Sequence, residues 1–217
     1  MLASDEQLAA MIETFHRGTR IHYKKGEYII RPGEFPPGVF YIEKGLVKAY
    51  DITKYGEENL LIVRKEQEIF PLIWALTGEE RRVIYQALAS TTVWRVSRKA
   101  YTEYVKNPAT PLAPLLDMTL EMYRIHSERI FNLEYRTVRE RLISFLAMMA
   151  KRFGEKQPDG SILINVPLRQ QDIASSINAS RETAGREMSA LERKNLVSSR
   201  QFLITLKDPV ALEKFLQ

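Results

Sequence analysis

The spacing of apolar residues changes once along this chain, near Ser97, and this change restricts the fold more than any other feature. Between residues 20 and 96, short β-branched and aromatic runs alternate with turn sequences such as KKG, EKG and KYGEE, at roughly ten-residue intervals. Such runs are typical of an antiparallel sandwich or barrel. After Ser97, apolar residues recur every three or four positions, which indicates helices. The sequence therefore predicts an α+β protein with its strands in the N-terminal half, after a short N-terminal helix.

Glycines mark the turns of the β-rich part. Turns of this kind need a positive φ angle, which glycine adopts without strain. We therefore predict a positive φ angle at Gly26, Gly33, Gly38, Gly45 and Gly56.

Two helices should follow the strands. Ser97 is suited to cap a short helix that ends before Asn107-Pro108. Thr110-Pro111 then offers an N-cap and a proline at the first helical position of a long helix, which should run to about Arg136.

The predicted long helix carries two apolar stripes. One is a heptad seam, interrupted by polar members, that consists of Leu112, Leu116, Thr119, Tyr123, His126, Ile130 and Leu133. The other consists of Leu115, Met118, Met122 and Ile125. Because a helix with two apolar stripes needs two partners, we predict that one stripe packs on the β domain and the other on a second copy of the chain. The alternative is a helix whose stripes are both buried within one chain.

The residues from Thr137 onward predict a separate C-terminal domain. Thr137 and Glu140 fit a capping box, which begins a new helix at a candidate hinge. This helix should stop at Gly154 and be followed by a hairpin with a Pro-Asp-Gly turn. The predicted divisions are a β-rich domain at 1–108, a dimerisation helix at 109–136 and the C-terminal domain at 137–217.

The rest of that domain has the order of a winged helix-turn-helix. PLRQQDIASSI predicts a helix, Asn178-Ala179 a tight turn, and Ser180 the cap of a second helix. LVSSRQFLITL predicts two short strands, and Asp208-Pro209 starts a last small helix. Two short helices joined by a tight turn and followed by a hairpin describe a winged helix-turn-helix.

The second helix of this motif carries charged residues away from its apolar stripe. The stripe repeats at steps of four and three and consists of Ala184, Met188 and Leu191. Arg181, Glu182 and Arg186 lie within about 140° of one another at 3.6 residues per turn, on another face. Arginine can pair with guanine and glutamate can accept from cytosine, so this face is suited to reading bases. The simpler interpretation is a solvated helix face.

The positive charge of the chain is concentrated in the same region. The net charge is +5, and thirteen basic residues against nine acidic ones lie from Thr137 onward. A basic region is expected where a protein meets a polyanion, although an excess this small also fits an ordinary basic surface.

The sequence also excludes several kinds of site. It contains no cysteine, which excludes disulfides and thiolate metal sites, and His16, His22 and His126 lack the spacing of a metal site. No apolar run is long enough to span a membrane and the N-terminus has no signal-peptide pattern, so we expect a cytoplasmic protein.

Two stretches of the chain resemble the catabolite activator protein (CRP/FNR) family. PLRQQDIASSINASRETAGREMSALERKNLVSSRQFLITL resembles its DNA-binding domain, and KGEYIIRPGEFPPGVFYIEKGLVKAY resembles its cyclic-nucleotide-binding β-roll, a jelly roll. The resemblance implies a homodimeric transcription regulator that binds a palindrome with TGTGA-like half-sites. It implies base reading by Arg181, Glu182 and Arg186, and contacts to the DNA backbone by Arg169, Gln170, Ser180 and Thr183. Leu168 departs from a threonine common in the family, so a cap is lost there.

The resemblance also indicates an altered effector site. Pro71 and Leu72 stand where the family has a Gly-Glu pair for the ribose, and Arg81-Arg82 where it has an Arg-Ser pair for the phosphate. Proline lacks an amide donor and leucine cannot accept from a hydroxyl, so we expect no cofactor and no cyclic AMP dependence. Another anionic effector would use a pocket with the candidate residues Leu72, Trp74, Arg81, Arg82, His126 and Ser127. The alternative is that the arginines are loop charges and Trp74 is core.

Other functions remain to be weighed. The hairpin KQPDGS resembles the surface with which family activators contact RNA polymerase, which favours activation and predicts contacts by Gln157, Asp159 and Gly160. A signalling module that responds to a nucleotide or another small anion is an alternative, with its effector gating DNA binding or with no DNA binding at all. A β-barrel enzyme of the cupin sort is a third class, for which the sequence supplies no nucleophile–base pair or cluster of metal ligands.

Overall fold

The computed structural model describes residues 2–80 and 82–216 of the chain. They form an N-terminal antiparallel β-roll, a long helix and a C-terminal winged helix-turn-helix, so the predicted α+β fold is confirmed. The chain divides into two compact units. The first comprises Met1–Asp51 and Leu61–Tyr123, and the second comprises Ile52–Leu60 and Arg124–Gln217.

The β-roll consists of two four-stranded sheets with the strand orders β1-β8-β3-β6 and β2-β7-β4-β5. The pairs β1–β8, β3–β8, β3–β6, β2–β7 and β4–β7 are antiparallel. The elements of this part are α1 (Asp5–His16), β1 (Thr19–Tyr23), β2 (Tyr28–Ile30), β3 (Val39–Lys44), β4 (Val47–Ile52), β5 (Glu58–Arg64), β6 (Ile69–Phe70), α2 (Leu72–Thr77), β7 (Ile84–Ala87), β8 (Thr91–Val96) and α3 (Arg98–Lys106).

Aromatic rings form the centre of the core of the first unit. Phe15 of α1 and Tyr101 of α3 are fully buried, and Tyr41 of β3 is nearly so. The ring of Phe15 lies 5.5 Å from that of Tyr41 and 5.9 Å from that of Tyr101, in tilted arrangements. Because such rings are large and well packed, they hold α1 and α3 against the sheet.

Four of the five turn glycines have the predicted positive φ angle, and the prediction for Gly38 is wrong. A Cβ atom at Gly38 would meet the carbonyl oxygen of Val96 at 2.5 Å and the side chain of Arg95 at 2.8 Å. Gly38 is therefore needed because another strand passes close to its backbone and not because of a left-handed turn.

The long helix, α4 (Ala113–Tyr135), begins later than the sequence predicted. Ser97 caps α3 as expected, accepting from the amide of Ala100 at 3.1 Å. Thr110, however, donates its hydroxyl to the carbonyl of Tyr104 at 2.6 Å, so it closes the end of α3 and does not cap α4. Leu112 therefore precedes the helix, although we had assigned it to the helical seam.

The second unit contains the winged helix-turn-helix. Its elements are α5 (Val138–Phe153), β9 (Gly154–Lys156), β10 (Ile162–Ile164), α6 (Gln170–Ser176), α7 (Arg181–Arg193), β11 (Val197–Arg200), β12 (Leu203–Leu206), α8 (Pro209–Glu213) and a 3-10 turn (Lys214–Leu216). The strands form one antiparallel sheet in the order β11-β12-β10-β9. The predicted capping box is confirmed, because Thr137 and Glu140 bond each other's backbone amides at the start of α5.

Candidate nucleic-acid interface

The turn between α6 and α7 sets the direction of α7. Asn178 has a φ angle of +48°, which asparagine tolerates better than most residues, and the amide of Ala179 donates to the carbonyl of Ala174 at 3.0 Å. Ser180 then accepts from the amide of Thr183 at 3.0 Å. This N-cap satisfies one of the free amides at the start of α7, as the sequence predicted.

The three residues predicted to read bases lie together on the exposed face of α7. Arg181, Glu182 and Arg186 are all exposed, whereas Ala184 and Leu191 are buried. Met188, the third residue of the predicted apolar stripe, is half-buried. Arg181 lies at the first residue of the helix, where its Nε donates to Gln170 of α6 at 3.3 Å. The helix is therefore held by its apolar stripe while its charged face is open to solvent.

An ion pair on another side of α7 strengthens its attachment. Arg139 of α5 donates from its Nε to a carboxylate oxygen of Glu187 at 2.8 Å, and Glu187 is mostly shielded from solvent. This contact orients α7 and does not involve Arg181, Glu182 or Arg186.

Arg169, predicted to contact the DNA backbone, is held by two carboxylates. Its amide and its guanidinium both donate to Asp172, at 2.9 Å and 3.0–3.1 Å, and its guanidinium also donates to Glu58. The bonds to Asp172, and then those to Glu58, raise the pKa of Arg169 above its usual range. Asp172 is buried, and by accepting from the amide of Arg169 it caps the start of α6. The three-residue spacing of Arg169 and Asp172 is a sequence signal for this cap. No sequence pattern pointed to Glu58.

Segment Ile52–Leu60 belongs to the same compact unit as the helix-turn-helix and contacts it at α6. The amide of Leu60 donates to the hydroxyl of Ser175 at 3.1 Å. Arg129 of α4 donates to the carbonyl of Leu60 at 3.0 Å and to that of Ser175 at 3.1 Å. One arginine thus joins α4, this segment and α6.

The other predicted backbone contacts lie beside Arg169 and at the start of α7. Gln170 begins α6 and is exposed. Ser180 donates its hydroxyl to that of Thr183 at 2.9 Å, so both side chains face the same end of α7. A groove of about 630 Å³ runs between α6, α7 and the β11–β12 hairpin, and its lining includes Arg169, Gln170, Arg181, Gln201 and Phe202.

The two stripes of α4 differ sharply in exposure. Within the chain, Leu115, Met122 and Ile125 are buried. Leu116, Tyr123 and Ile130 of the seam are exposed, with Tyr123 at 71%, and Leu133 is half-buried. One stripe is therefore satisfied by the chain itself and the seam is not.

The candidate effector residues are distributed over both units. Leu72 and Trp74 pack against the aromatic core of the first unit, where Arg82 is exposed. Arg81 lies outside the described residues. The guanidinium over the Trp74 ring, at 5.7 Å, is that of Arg98, which the sequence analysis did not single out. Two candidates lie in the second unit: His126 is exposed and Ser127 is half-buried.

In the hairpin predicted to contact RNA polymerase, Asp159 and Gly160 are exposed and Gln157 is half-buried. The amide of Gln157 donates to the carbonyl of Ser161 at 2.8 Å, and Gly160 has a φ angle of +84°. Asp159 accepts from the hydroxyl of Ser161 at 2.6 Å and from its amide at 3.0 Å. These bonds lower the pKa of Asp159.

Neither a metal site nor a membrane-spanning helix is found in the described part of the chain. Across residues 2–80 and 82–216, no three His, Cys, Asp or Glu side chains are grouped so that they could hold a metal ion. None of the helices described here is long and apolar enough to cross a bilayer.

A β-roll followed by a long helix and a winged helix-turn-helix with an exposed, charged second helix defines a DNA-binding transcription regulator, a class that is not an enzyme class. Residues 20–107 match the cyclic nucleotide-binding domain, and residues 140–215 match the Crp-like helix-turn-helix domain. The chain belongs to the CRP/FNR family.

Individual relatives support this assignment. The chain is 31% identical over 216 residues to the global nitrogen regulator of Synechocystis sp., covering 96% of this chain and 90% of that protein. It is 26% identical over 202 residues to the cAMP-activated global transcriptional regulator CRP of Salmonella typhimurium, covering 92% and 95%. A solved structure of a CooA mutant from Carboxydothermus hydrogenoformans has a TM-score of 0.77 at 21% identity, covering 99% of this chain and 97% of that one, and so shares the fold.

Proposed function

We propose that this regulator acts as a homodimer that reads a palindrome with TGTGA-like half-sites through Arg181, Glu182 and Arg186. The observation that carries the proposal is the exposure of all three side chains on α7, on a different face from the buried Ala184 and Leu191. Arginine donates two hydrogen bonds to guanine, and glutamate accepts from the amino group of cytosine. A glutamate on this face would be repelled by phosphates, so its presence favours contacts to bases over contacts to the backbone alone.

Backbone contacts in this proposal come from the beginnings of the two helices. Arg169 and Gln170 lie at the start of α6, and Ser180 and Thr183 lie at the start of α7. The N-terminus of α7 favours phosphate because its free amides and helix dipole both attract an anion. Contacts of this kind set the register of the protein on DNA, and the base contacts then supply the sequence preference.

The dimer in this proposal forms along α4. Leu116, Tyr123 and Ile130 are exposed apolar side chains in a heptad seam, and a second copy of the seam would remove them from water. Two-fold symmetry along this helix accounts for a palindromic site, because each copy would read one half-site about 34 Å from the other. We retain the functional divisions 1–108, 109–136 and 137–217 as part of this proposal.

We also propose that DNA binding does not require cyclic AMP. Pro71 has no amide hydrogen, and the side chain of Leu72 packs against the core cluster and has no polar atom. The alternative is a different small anion that gates DNA binding, for which the exposed Arg82 is a candidate. Calorimetric titration with cyclic nucleotides tests independence from cyclic AMP, because binding with a matching gain in DNA affinity would contradict it.

Activation, in this proposal, uses the exposed hairpin that carries Gln157, Asp159 and Gly160 to contact RNA polymerase. The internal bonds of Asp159 support the proposal because they hold the hairpin in one conformation before a partner arrives. Transcription in vitro with Asp159→Ala and with Gly160→Ala should fall while DNA binding is unchanged. Normal activation by both variants would contradict a polymerase contact here.

Selection of binding sites from random duplex DNA tests the base-reading proposal. The wild type, with no effector added, should recover a two-fold site, and Arg186→Ala should lose preference at one base pair per half-site, at a cost of about 1 to 3 kcal/mol. Arg193→Ala removes the same charge from the other end of α7 and serves as the matched control, which should keep the full site. Recovery of the same site by wild type and Arg186→Ala would refute base reading by this residue.

A further inference from the structure

The turn between β11 and β12, the wing of the domain, has an unfavourable backbone conformation. Its two residues, Gln201 and Phe202, have φ angles of +52° and +67°. Two-residue hairpin turns with positive φ at both positions strongly favour Asn-Gly or a similar pair. A side chain with a Cβ atom crowds the backbone in this region, and neither glutamine nor phenylalanine offers the local hydrogen bonding that asparagine does. The turn therefore carries strain that a glycine would remove.

Phe202 is also placed where its ring gains little from folding. Phe202 is 61% exposed and lies at the tip of the wing. A largely exposed apolar ring at a strained position has less packing to offset its strain than a buried ring would have. Local strain of this kind is concentrated at functional sites, where an interaction outside the chain explains it.

The position of the ring points to the nature of that interaction. The amide of Leu168 donates to the carbonyl of Phe202 at 2.9 Å, which fixes the wing tip beside the start of α6. Phe202 shares the groove of about 630 Å³ with Arg169, Gln170 and Arg181. The ring therefore lies at the edge of the surface that we propose for the DNA backbone and bases.

We propose that Phe202 packs its ring against the deoxyribose surface at the edge of each half-site. The proposal rests on the DNA-binding function above and adds a residue to it. Deoxyribose presents C–H groups to the groove wall, and a flat, uncharged ring can cover them without competing for the phosphates held by arginine. Because every nucleotide has the same sugar, this contact adds affinity without sequence preference. Since it releases no counterions, it leaves the salt dependence of binding unchanged.

Two substitutions separate the ring from the strain. Phe202→Ala removes the ring but keeps a Cβ atom at positive φ, and should weaken DNA binding about tenfold, as loss of a partly buried aromatic contact predicts. Phe202→Gly should weaken binding to a similar extent and, by relieving strain, raise the melting temperature by about 2 to 4 °C. In both variants the loss should be equal for the selected site and for its single-base variants, with the same slope of log affinity against log salt as the wild type.

Two further variants serve as controls. Phe35→Ala removes an exposed ring from the first unit and should leave DNA binding unchanged. Gln201→Asn eases the strain at the neighbouring position and keeps both the amide side chain and the ring of Phe202, so it should raise stability.

The outcomes distinguish this inference from the proposed function. Wild-type affinity in Phe202→Ala, together with lost selectivity in Arg186→Ala, would overturn the ring contact and leave base reading intact. A tenfold loss in Phe202→Ala with no selectivity in any variant would support the ring contact and overturn base reading. A changed salt slope in Phe202→Ala would also overturn the contact, because the ring would then act by positioning the arginines. Absence of DNA binding by the wild type, both with and without added small anions, would overturn both.

Discussion

The β-roll core and the proposed DNA-binding surface use large side chains in opposite ways. In the first unit, the rings of Phe15, Tyr41 and Tyr101 are buried against one another. In the second, Phe202 is exposed at a strained turn, and Arg181 is exposed beside it in one groove. Side chains that are fully packed within the chain stabilise the fold, whereas large side chains that remain exposed indicate contact with a partner.

The largest expected effect tests the structural half of this comparison. Phe15→Ala should reduce the free energy of unfolding by about 3 to 5 kcal/mol, because it leaves a cavity between two other rings. Chemical denaturation measures the change. Phe35→Ala, which removes an exposed ring, should stay within about 0.5 kcal/mol of the wild type. Equal effects of the two substitutions would remove the distinction between buried and exposed rings.

A second test addresses the exposed seam of α4. Ile130→Asp should dissociate the proposed dimer, since it places a charge where about 1.5 to 3 kcal/mol of apolar burial per copy is expected. Analytical ultracentrifugation over a range of concentrations gives the dissociation constant. Ile73→Asp alters another exposed isoleucine, on α2, and should leave the oligomeric state unchanged. An unaltered dimer in Ile130→Asp would place the interface elsewhere.

A smaller effect concerns the carboxylate that holds Arg169. Glu58→Gln should raise DNA affinity by up to about fivefold, because a neutral side chain competes less with phosphate for the guanidinium, and exposed ion pairs contribute about 0.2 to 1 kcal/mol. Binding at fixed salt measures the gain. Glu57→Gln makes the same change of charge at the adjacent residue and serves as the control. Equal gains in the two variants would show a general charge effect and no specific competition.

The smallest effect concerns the hairpin of Asp159. Bonds from Ser161, first from its hydroxyl and then from its amide, hold the pKa of Asp159 below its ordinary value of 3.8. The contribution of the ionised carboxylate to hairpin order is therefore present above that value and is lost as the pH falls through the lower pKa of the folded state. NMR titration should find this depressed pKa, and Ser161→Ala should raise it. An unchanged pKa in that variant would refute the stated cause.

Helix ends show how far local sequence predicts structure. The caps at Ser97, Thr137 and Ser180 were predicted and confirmed, because each bond joins residues three positions apart. Thr110 has the same local pattern, yet its hydroxyl reaches back to Tyr104. The hydroxyl could accept from an amide at the start of α4 or donate to a carbonyl at the end of α3, and only the path of the chain after α3 selected between them.

The candidate site divides in the same way. The exposed face of α7 follows from helical spacing, so Arg181, Glu182 and Arg186 could be named from the sequence. Glu58 lies 111 positions from Arg169 and carries no motif, so nothing local indicated their contact. The conformation of the turn at Phe202 was missed because the residues in it are poor formers of such a turn.

The sequence by itself determined the order of the elements, the charged face of α7 and the two stripes of α4, because spacing along one helix or strand is a local property. Only the tertiary structure decided which stripe of α4 is buried, that Gly38 admits a neighbouring strand, and that Glu58 and Phe202 flank the start of α6. Each of these depends on two segments distant in sequence meeting in space, and the chemistry of either segment alone does not determine its partner.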